Sequence, residues 1–345
     1  MIKGAVKTEK EYRAVEMNSS SSLKEFSLDK KKYYKRYILN EKSEEKDSSA
    51  ATIGRLVETL LLEKEEFENR FYLSGIETAP TGLMLAFVEA LCKYTDMYTN
   101  EDGELTKSFK EILLAAYTES GFKLNFDTVV SKFTGSNAEL YYNELVSVKA
   151  NGYTVVTVND VSNAERIVAE LQTNPITSHI VNTVNSARWE VFNQFQIQGY
   201  EIDGLKLKSM IDKLIVDHDK KTIQIYDLKC TWSVENFYEE YYLYRRSYIQ
   251  AYLYHRAILN TTEFQDYEVL FPKFIVCDSI NYFSPLVYTL NADDMNEAYN
   301  GFVHKGKKYP GVKEIIDNLK WAIHFDIWNI SKKNHLSGGV VNIKS

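Results

Sequence analysis

The chain has 345 residues, 44% of them hydrophobic and 26% charged, with 41 Lys and Arg against 48 Asp and Glu for a net charge of −7. That balance suits a globular protein with a sizeable core. It excludes a uniformly basic nucleic-acid coat but not a local basic groove, because net charge says nothing about distribution. Cys92, Cys230 and Cys277 are few and widely spaced, which excludes a disulfide framework and points to free thiols in a reducing compartment. No apolar run approaches the roughly 20 residues of a membrane span, and the N-terminus lacks a signal core. The expectation is a soluble, cytoplasmic protein with no membrane partner.

In chain order, residues 1–16 are polar and read as an arm or a first edge strand. The run Asn18–Phe26 reads as a helix start, with Ser22 and Glu25 at capping-box spacing. Lys30–Tyr37 interleaves basic residues with tyrosines, a pattern that tracks phosphates or simply lies on a solvated helix face. A charged loop over 40–49 precedes an amphipathic helix from Ala50 to Phe71, with an apolar stripe of Ile53, Leu56, Val57, Leu60 and Leu61. Residues 75–150 read as inserted helices over 83–98, 105–117 and 121–135, carrying no evident chemistry.

Val155–Val158 suggests a short strand and Asn159–Thr173 a helix, followed by a shorter one around 175–185. The runs 189–197, 205–216 and 222–229 alternate as strands do, with glycines at 199 and 204 between the first two. A long Tyr-rich helix is expected over Phe237–Asn260, strands at 271–277 and 286–290, and helices at 294–303 and 311–330. The fold class is therefore α/β. A single domain is the simplest organisation: a helical segment 1–74, an insertion 75–150, a core 151–290 and a helical tail 291–345.

The chemistry concentrates between Glu190 and Tyr254. On a strand, residues two apart share a face, so Ile223, Ile225, Asp227 and Lys229 project together. Asp212 lies in the neighbouring strand, where a short hairpin brings it beside Asp227. Two adjacent carboxylates repel unless a cation or a shared proton relieves them. Mg²⁺ suits such a pair, since it takes a few carboxylates together with waters and phosphate oxygens, and it lowers the pKa of a bound water. Lys229 would then steady a nucleophile or a developing negative charge. An Asp–Lys pair on the surface at a strand end fits the same spacing. Glu190, opening the first core strand, is either a further ligand or a surface residue.

The segments Lys208-Ser209-Met210-Ile211-Asp212, Asp227-Leu228-Lys229 and Gln250-Ala251-Tyr252-Leu253-Tyr254 resemble the PD-(D/E)XK nuclease superfamily. More narrowly, they are similar to its RecE-type (exodeoxyribonuclease VIII-like) phage exonucleases, which carry K-x-R-x-D, D-x-K and Q-x-x-x-Y. Gly54-Arg55-Leu56-Val57-Glu58 resembles the family's G-x-x-x-H. Two departures stand out: Met210 in place of Arg, and Glu58 in place of a metal-binding His.

The resemblance implies a restriction-endonuclease-like core, a mixed central sheet flanked by helices, with an N-terminal helical half and a helical insertion. It implies Mg²⁺ (or Mn²⁺) held by Glu58, Asp212, Asp227 and the Leu228 carbonyl, and Lys229 beside the attacking water. Gln250 and Tyr254 would border the site, with Arg245 and Arg246 as candidate phosphate contacts. The implied activity is exonucleolytic hydrolysis of double-stranded DNA ends, 5′ to 3′, feeding an annealing or recombinase protein, from a ring-shaped homo-oligomer. A structure-specific or nicking endonuclease and a non-catalytic DNA-binding relative are the alternatives. An iron–sulfur relative is disfavoured by the three scattered cysteines. The Lys-, Tyr- and Asn-rich, Pro-poor composition would suit a phage gene, placing the protein in a host cytoplasm.

Overall fold

A computed structural model describes residues 8–41, 49–149, 151–280 and 284–341. The charged stretch expected as a loop over 40–49 and the first seven residues lie largely outside the described residues. The chain forms two compact units, Met1–Asp47 with Ala169–Ser345, and Ser48–Val168. The smaller unit thus takes in the helix Ser49–Leu62 as well as the expected insertion.

The larger unit is built on a mixed sheet flanked by helices. Its main strands are β1 (Trp189–Ile202), β2 (Leu205–Asp217), β3 (Thr222–Thr231), β4 (Lys273–Asp278) and β5 (Leu286–Thr289), hydrogen-bonded in that order. Only the β3–β4 pairing along this path is parallel; a short parallel pair, Glu268–Val269, also joins the start of β3. The β1–β2 turn is two residues, Asp203 and Gly204, both left-handed at φ 49° and 72°. That is the turn whose twist matches a hairpin, and glycine adopts it without a Cβ penalty. Gly199 does not end a strand. At φ 77° it sits where the register shifts between Gln198 and Tyr200, as a bulge within β1.

A parallel pair requires a crossover, and here it carries α3 (Ser247–Leu259), in which Tyr248, Ile249, Gln250, Leu253 and Tyr254 are all buried. Alongside lie α2 (Ser20–Leu28) and α4 (Val312–Phe325), so that Leu23, Phe26, Ile211, Leu214, Phe274 and Leu319 share one core.

Three expectations are corrected. Residues 9–14 form a helix, α1 (Glu9–Ala14), rather than an arm or strand, because Thr8 and Glu11 make a reciprocal capping box. The cap of α2 is Ser19 with Ser22, not Ser22 with Glu25; Glu25 instead pairs with Lys32 and Arg36. The long helix over 237–260 is broken. Tyr238–Tyr244 winds as a π-helix, and Arg246 at φ 56° is left-handed, restarting the chain as α3. Tyr242 and Arg246 are therefore out of step with Gln250 and Tyr254, although all four are four residues apart.

The smaller unit has its own core, with Phe87, Leu91, Ile112 and Phe133 packed between helices Gly82–Met97, Phe109–Ser120, Phe126–Phe133 and Asn137–Lys149. A parallel pair, Phe71–Leu73 with Thr154–Val156, belongs to it as well. Among the described residues no helix is long and apolar enough to cross a membrane.

Lys213, on the face of β2 opposite Asp212, is only 4% exposed. Burial pushes its ammonium down from the ordinary 10.5 to about 8. Below pH 8 the fold carries that charge at full cost. Between pH 8 and 10.5 the unfolded chain holds a proton that the folded chain releases, so stability from this site rises with pH. Lys213→Met is expected to stabilise the unit by up to about 3 kcal/mol at pH 7, the gain shrinking to about 1 kcal/mol or less by pH 10. Urea unfolding of both proteins at the two pH values measures it.

Candidate active site

The site begins where β2 and β3 part. Their ladder runs from Asp217↔Thr222 to Lys213↔Tyr226 and stops, whereas β3 stays paired to β4 from Tyr226 to Thr231. Strands that separate leave main-chain donors in need of partners. Here the Asp212 carboxylate replaces the missing ladder bond, its Oδ2 accepting from the Leu228 N–H at 2.8 Å. The fork thereby seats Asp212 against the Asp227-Leu228-Lys229 segment. Both carboxylates are buried, Asp227 at 1% exposure. The Lys229 ammonium pairs with Asp227 Oδ2 and donates to the Leu228 carbonyl at 3.2 Å.

Helix α3 closes the site from behind. Gln250 Nε2 donates to Asp227 Oδ1 at 2.7 Å and to the Tyr254 hydroxyl at 2.8 Å. Burial, reinforced by the charges of Asp212 and Asp227, holds the Tyr254 phenol well above its ordinary range, so it stays protonated. Gln250 Oε1 accepts from Lys24 Nζ at 3.1 Å. Burial first, then repulsion by Lys229, lowers the Lys24 ammonium to about 8; Asp227 and Asp212 oppose the shift and Arg245 adds to it. The site thus sets two carboxylates against two lysines, with a neutral amide and phenol between.

The sequence-derived candidates divide clearly. Asp212, Asp227, Leu228, Lys229, Gln250 and Tyr254 come together. Arg245 is near enough to repel Lys24, and its guanidinium lies 4.4 Å from the Tyr241 ring centroid. Arg246 faces the Tyr248 and Tyr309 side instead, and its buried Nη1 has no hydrogen-bond partner among the described residues. Glu190 pairs in the ladder with Val216, four residues along β2 from Asp212 or about 13 Å at strand spacing, and its carboxylate lies 3.6 Å from His218. It is not part of the site. Glu58 belongs to the smaller unit, half-buried on the helix Ser49–Leu62.

Lys24 is the residue that the sequence reading missed. Its signal was positional: on α2 it lies on the same stripe as the buried Ser20 and Leu23. Lys208 has a structural task, donating to the carbonyls of Tyr12, Arg13 and Val15 at 2.7–3.1 Å and so capping the C-terminal end of α1. Met210 lines a cavity of about 1160 Å³, together with Asp212, Gln250 and Tyr254. Its lining mixes charges, with Arg13, Lys32, Arg36 and Lys208 beside Glu16, Glu25 and Asp29.

Asp212, Asp227 and the Leu228 carbonyl offer hard oxygen donors, as Mg²⁺ or Mn²⁺ requires. Asp227 Oδ2 is buried, paired with the Lys229 ammonium and without an aligned hydrogen bond among the described residues, so it keeps lone-pair capacity that a cation could share. Within this unit no third His, Cys, Asp or Glu joins the pair among the described residues. The remaining coordination would fall to water and phosphate oxygens, as is usual for Mg²⁺. The donor set fits that ion.

No family model matches the sequence, and no curated protein matches it. Among solved structures, the chain is similar to a crystal structure of a "putative exonuclease" from Eubacterium rectale, with 14% identity and a TM-score of 0.49 over 98% of this chain and 89% of that one.

Proposed function

We propose that the larger unit is the catalytic unit of a metal-dependent deoxyribonuclease of the PD-(D/E)XK type, RecE-like in kind, that hydrolyses phosphodiester bonds at double-stranded DNA ends. One observation carries the reading: Asp212, Asp227 and Lys229 converge at the β2–β3 fork, braced by Gln250 and Tyr254, and Asp212, Gln250 and Tyr254 line a cavity. The mixed strand order and the parallel β3–β4 crossover suit that fold.

A bound Mg²⁺ or Mn²⁺ would supply positive charge against the phosphate and lower the pKa of a water ligand. Asp212, Asp227 and the Leu228 carbonyl would hold it. Lys229, on the face shared with Asp227, orients the attacking water and offsets charge gathering on the phosphorane oxygens. Gln250 fixes the Asp227 carboxylate by its hydrogen bond to Oδ1, while Oδ2 pairs with Lys229. The neutral Tyr254 phenol supports Gln250 and adds no charge to a site that must accept an anion. The cavity, at about 1160 Å³, is slightly larger than ordinary small-molecule pockets, and a phosphate entering it would meet Arg13, Lys32 and Arg36 beside Glu16, Glu25 and Asp29.

Titration with Mn²⁺, followed by calorimetry, is expected to show binding to the wild type that weakens by at least about tenfold in Asp212→Asn, since even second-shell losses cost that much. Undiminished affinity in the variant would remove Asp212 from the metal site. A nicking or structure-specific endonuclease with the same metal chemistry is the second reading. Covalently closed circular DNA separates the two, because an exonuclease leaves it intact. Cleavage polarity, assembly into a ring and delivery to an annealing protein are parts of the same proposal.

A further inference from the structure

Lys24 lies far from the D-x-K segment in sequence and on a different element, yet it is joined to Asp227 through one side chain. The amide of Gln250 has two N–H donors and one oxygen acceptor group. Both donors are spent, on Asp227 Oδ1 and on the Tyr254 hydroxyl, and the oxygen takes the Lys24 ammonium. An amide turned over would set its oxygen against the Asp227 carboxylate and its donors against an ammonium that cannot accept. Asp227 and Lys24 therefore select the same orientation from opposite ends.

Lys24 is itself held in place. The Ser19–Ser22 capping box starts α2, while Leu23 and Phe26, at 0% and 2% exposure, anchor that helix in the core. Phe26 meets the Tyr33 ring edge-on, with centroids 5.3 Å apart. The ammonium thus reaches Gln250 from a rigid support, which is what precise positioning of a reactive group requires.

We propose that Lys24 is a positioning residue of the active site: it locks the Gln250 amide, and through Gln250 it fixes the Asp227 carboxylate in the orientation that hydrolysis uses. This rests on the nuclease reading above. A positioning role has a signature that a phosphate contact or a general structural role lacks. Loss of Lys24 lowers kcat rather than raising KM, leaves the salt dependence of DNA binding unchanged, and costs nothing further once Gln250 is gone.

The test compares wild type, Lys24→Met, Gln250→Ala and the double variant, by steady-state cleavage of end-labelled duplex with Mg²⁺ and by urea unfolding. Lys24→Met is expected to lower kcat by about 10- to 100-fold with little change in KM, and the double variant to match Gln250→Ala alone. In urea, the double variant is likewise expected to unfold at the midpoint of the weaker single variant.

A Lys24→Met enzyme with kcat near wild type, losses that multiply in the double variant, or a weaker salt dependence would each overturn the proposal. If Lys24→Met does not fold, Lys24→Arg, which keeps donors and charge, is expected to retain most of kcat, and a loss as large as that of Gln250→Ala would overturn the proposal. A folded wild type that leaves DNA intact would sink the nuclease reading instead. The urea comparison would then still decide whether Lys24 acts through Gln250, with additive losses counting against it.

Discussion

Asp227→Asn is expected to lower Mg²⁺-dependent hydrolysis of duplex ends by about 10²- to 10⁴-fold while the chain stays folded. The exchange preserves shape but removes the charge that Lys229 pairs with and one of the two carboxylates available to a metal. It also places an amide where Gln250 Nε2 now donates to a carboxylate oxygen at 2.7 Å, so that the new side chain must turn its own oxygen toward Gln250 and its nitrogen toward Lys229. Two donors then face each other across the site. Lys229→Met separates the parts: it is expected to abolish hydrolysis to a similar degree while leaving Mn²⁺ binding in place, since Lys229 is not among the oxygen donors. Initial rates on a labelled linear duplex, with circular dichroism as the folding control, decide both. More than a tenth of wild-type rate in Asp227→Asn would remove the residue from the chemistry.

The second large effect lies in the support for α3. Tyr248 is fully buried, meets the rings of Tyr242 and Phe302 edge-on at 5.9 and 5.4 Å, and donates its hydroxyl to the Pro310 carbonyl at 2.9 Å. Tyr248→Ala leaves a ring-sized cavity and an unsatisfied carbonyl, with an expected cost of about 3–5 kcal/mol. Tyr248→Phe, which keeps the ring, is expected to cost about 1 kcal/mol. The four tryptophans, Trp189, Trp232, Trp321 and Trp328, all belong to the larger unit, so tryptophan fluorescence in urea reports its unfolding separately from the smaller unit. Because α3 carries Gln250 and Tyr254 in its next turns, Tyr248→Ala is also expected to depress hydrolysis well below the melting range.

Much of this was legible in the sequence because the relevant signals are short-range. Strand alternation placed Asp227 and Lys229 on one face, and the pattern of neighbouring strands placed Asp212 near them; the hydrogen bond from the Leu228 N–H to Asp212 bears out that proximity. The four-residue spacing of Gln250 and Tyr254 was read correctly as one helical face. The same spacing failed for Tyr242 and Arg246, because a π-helix and a left-handed residue leave no composition signal, and α-periodicity was carried across them. Lys24 was invisible for a different reason. A lysine in a serine-capped helix reads as solvated unless its stripe is compared with Ser20 and Leu23, and its partner lies more than two hundred residues away. The division into two units rests on contacts between distant segments, which local periodicity does not encode.

The most direct measurement is release of labelled nucleotide from a 5′- and a 3′-labelled linear duplex by the wild-type chain, with Mg²⁺ and with excess EDTA, beside Lys229→Met. The expected result is progressive release from ends in Mg²⁺, none in EDTA and none from the variant, with closed circular DNA untouched. Intact duplex in Mg²⁺, or equal release by wild type and Lys229→Met, would contradict a metal-dependent nuclease centred on Asp212, Asp227 and Lys229.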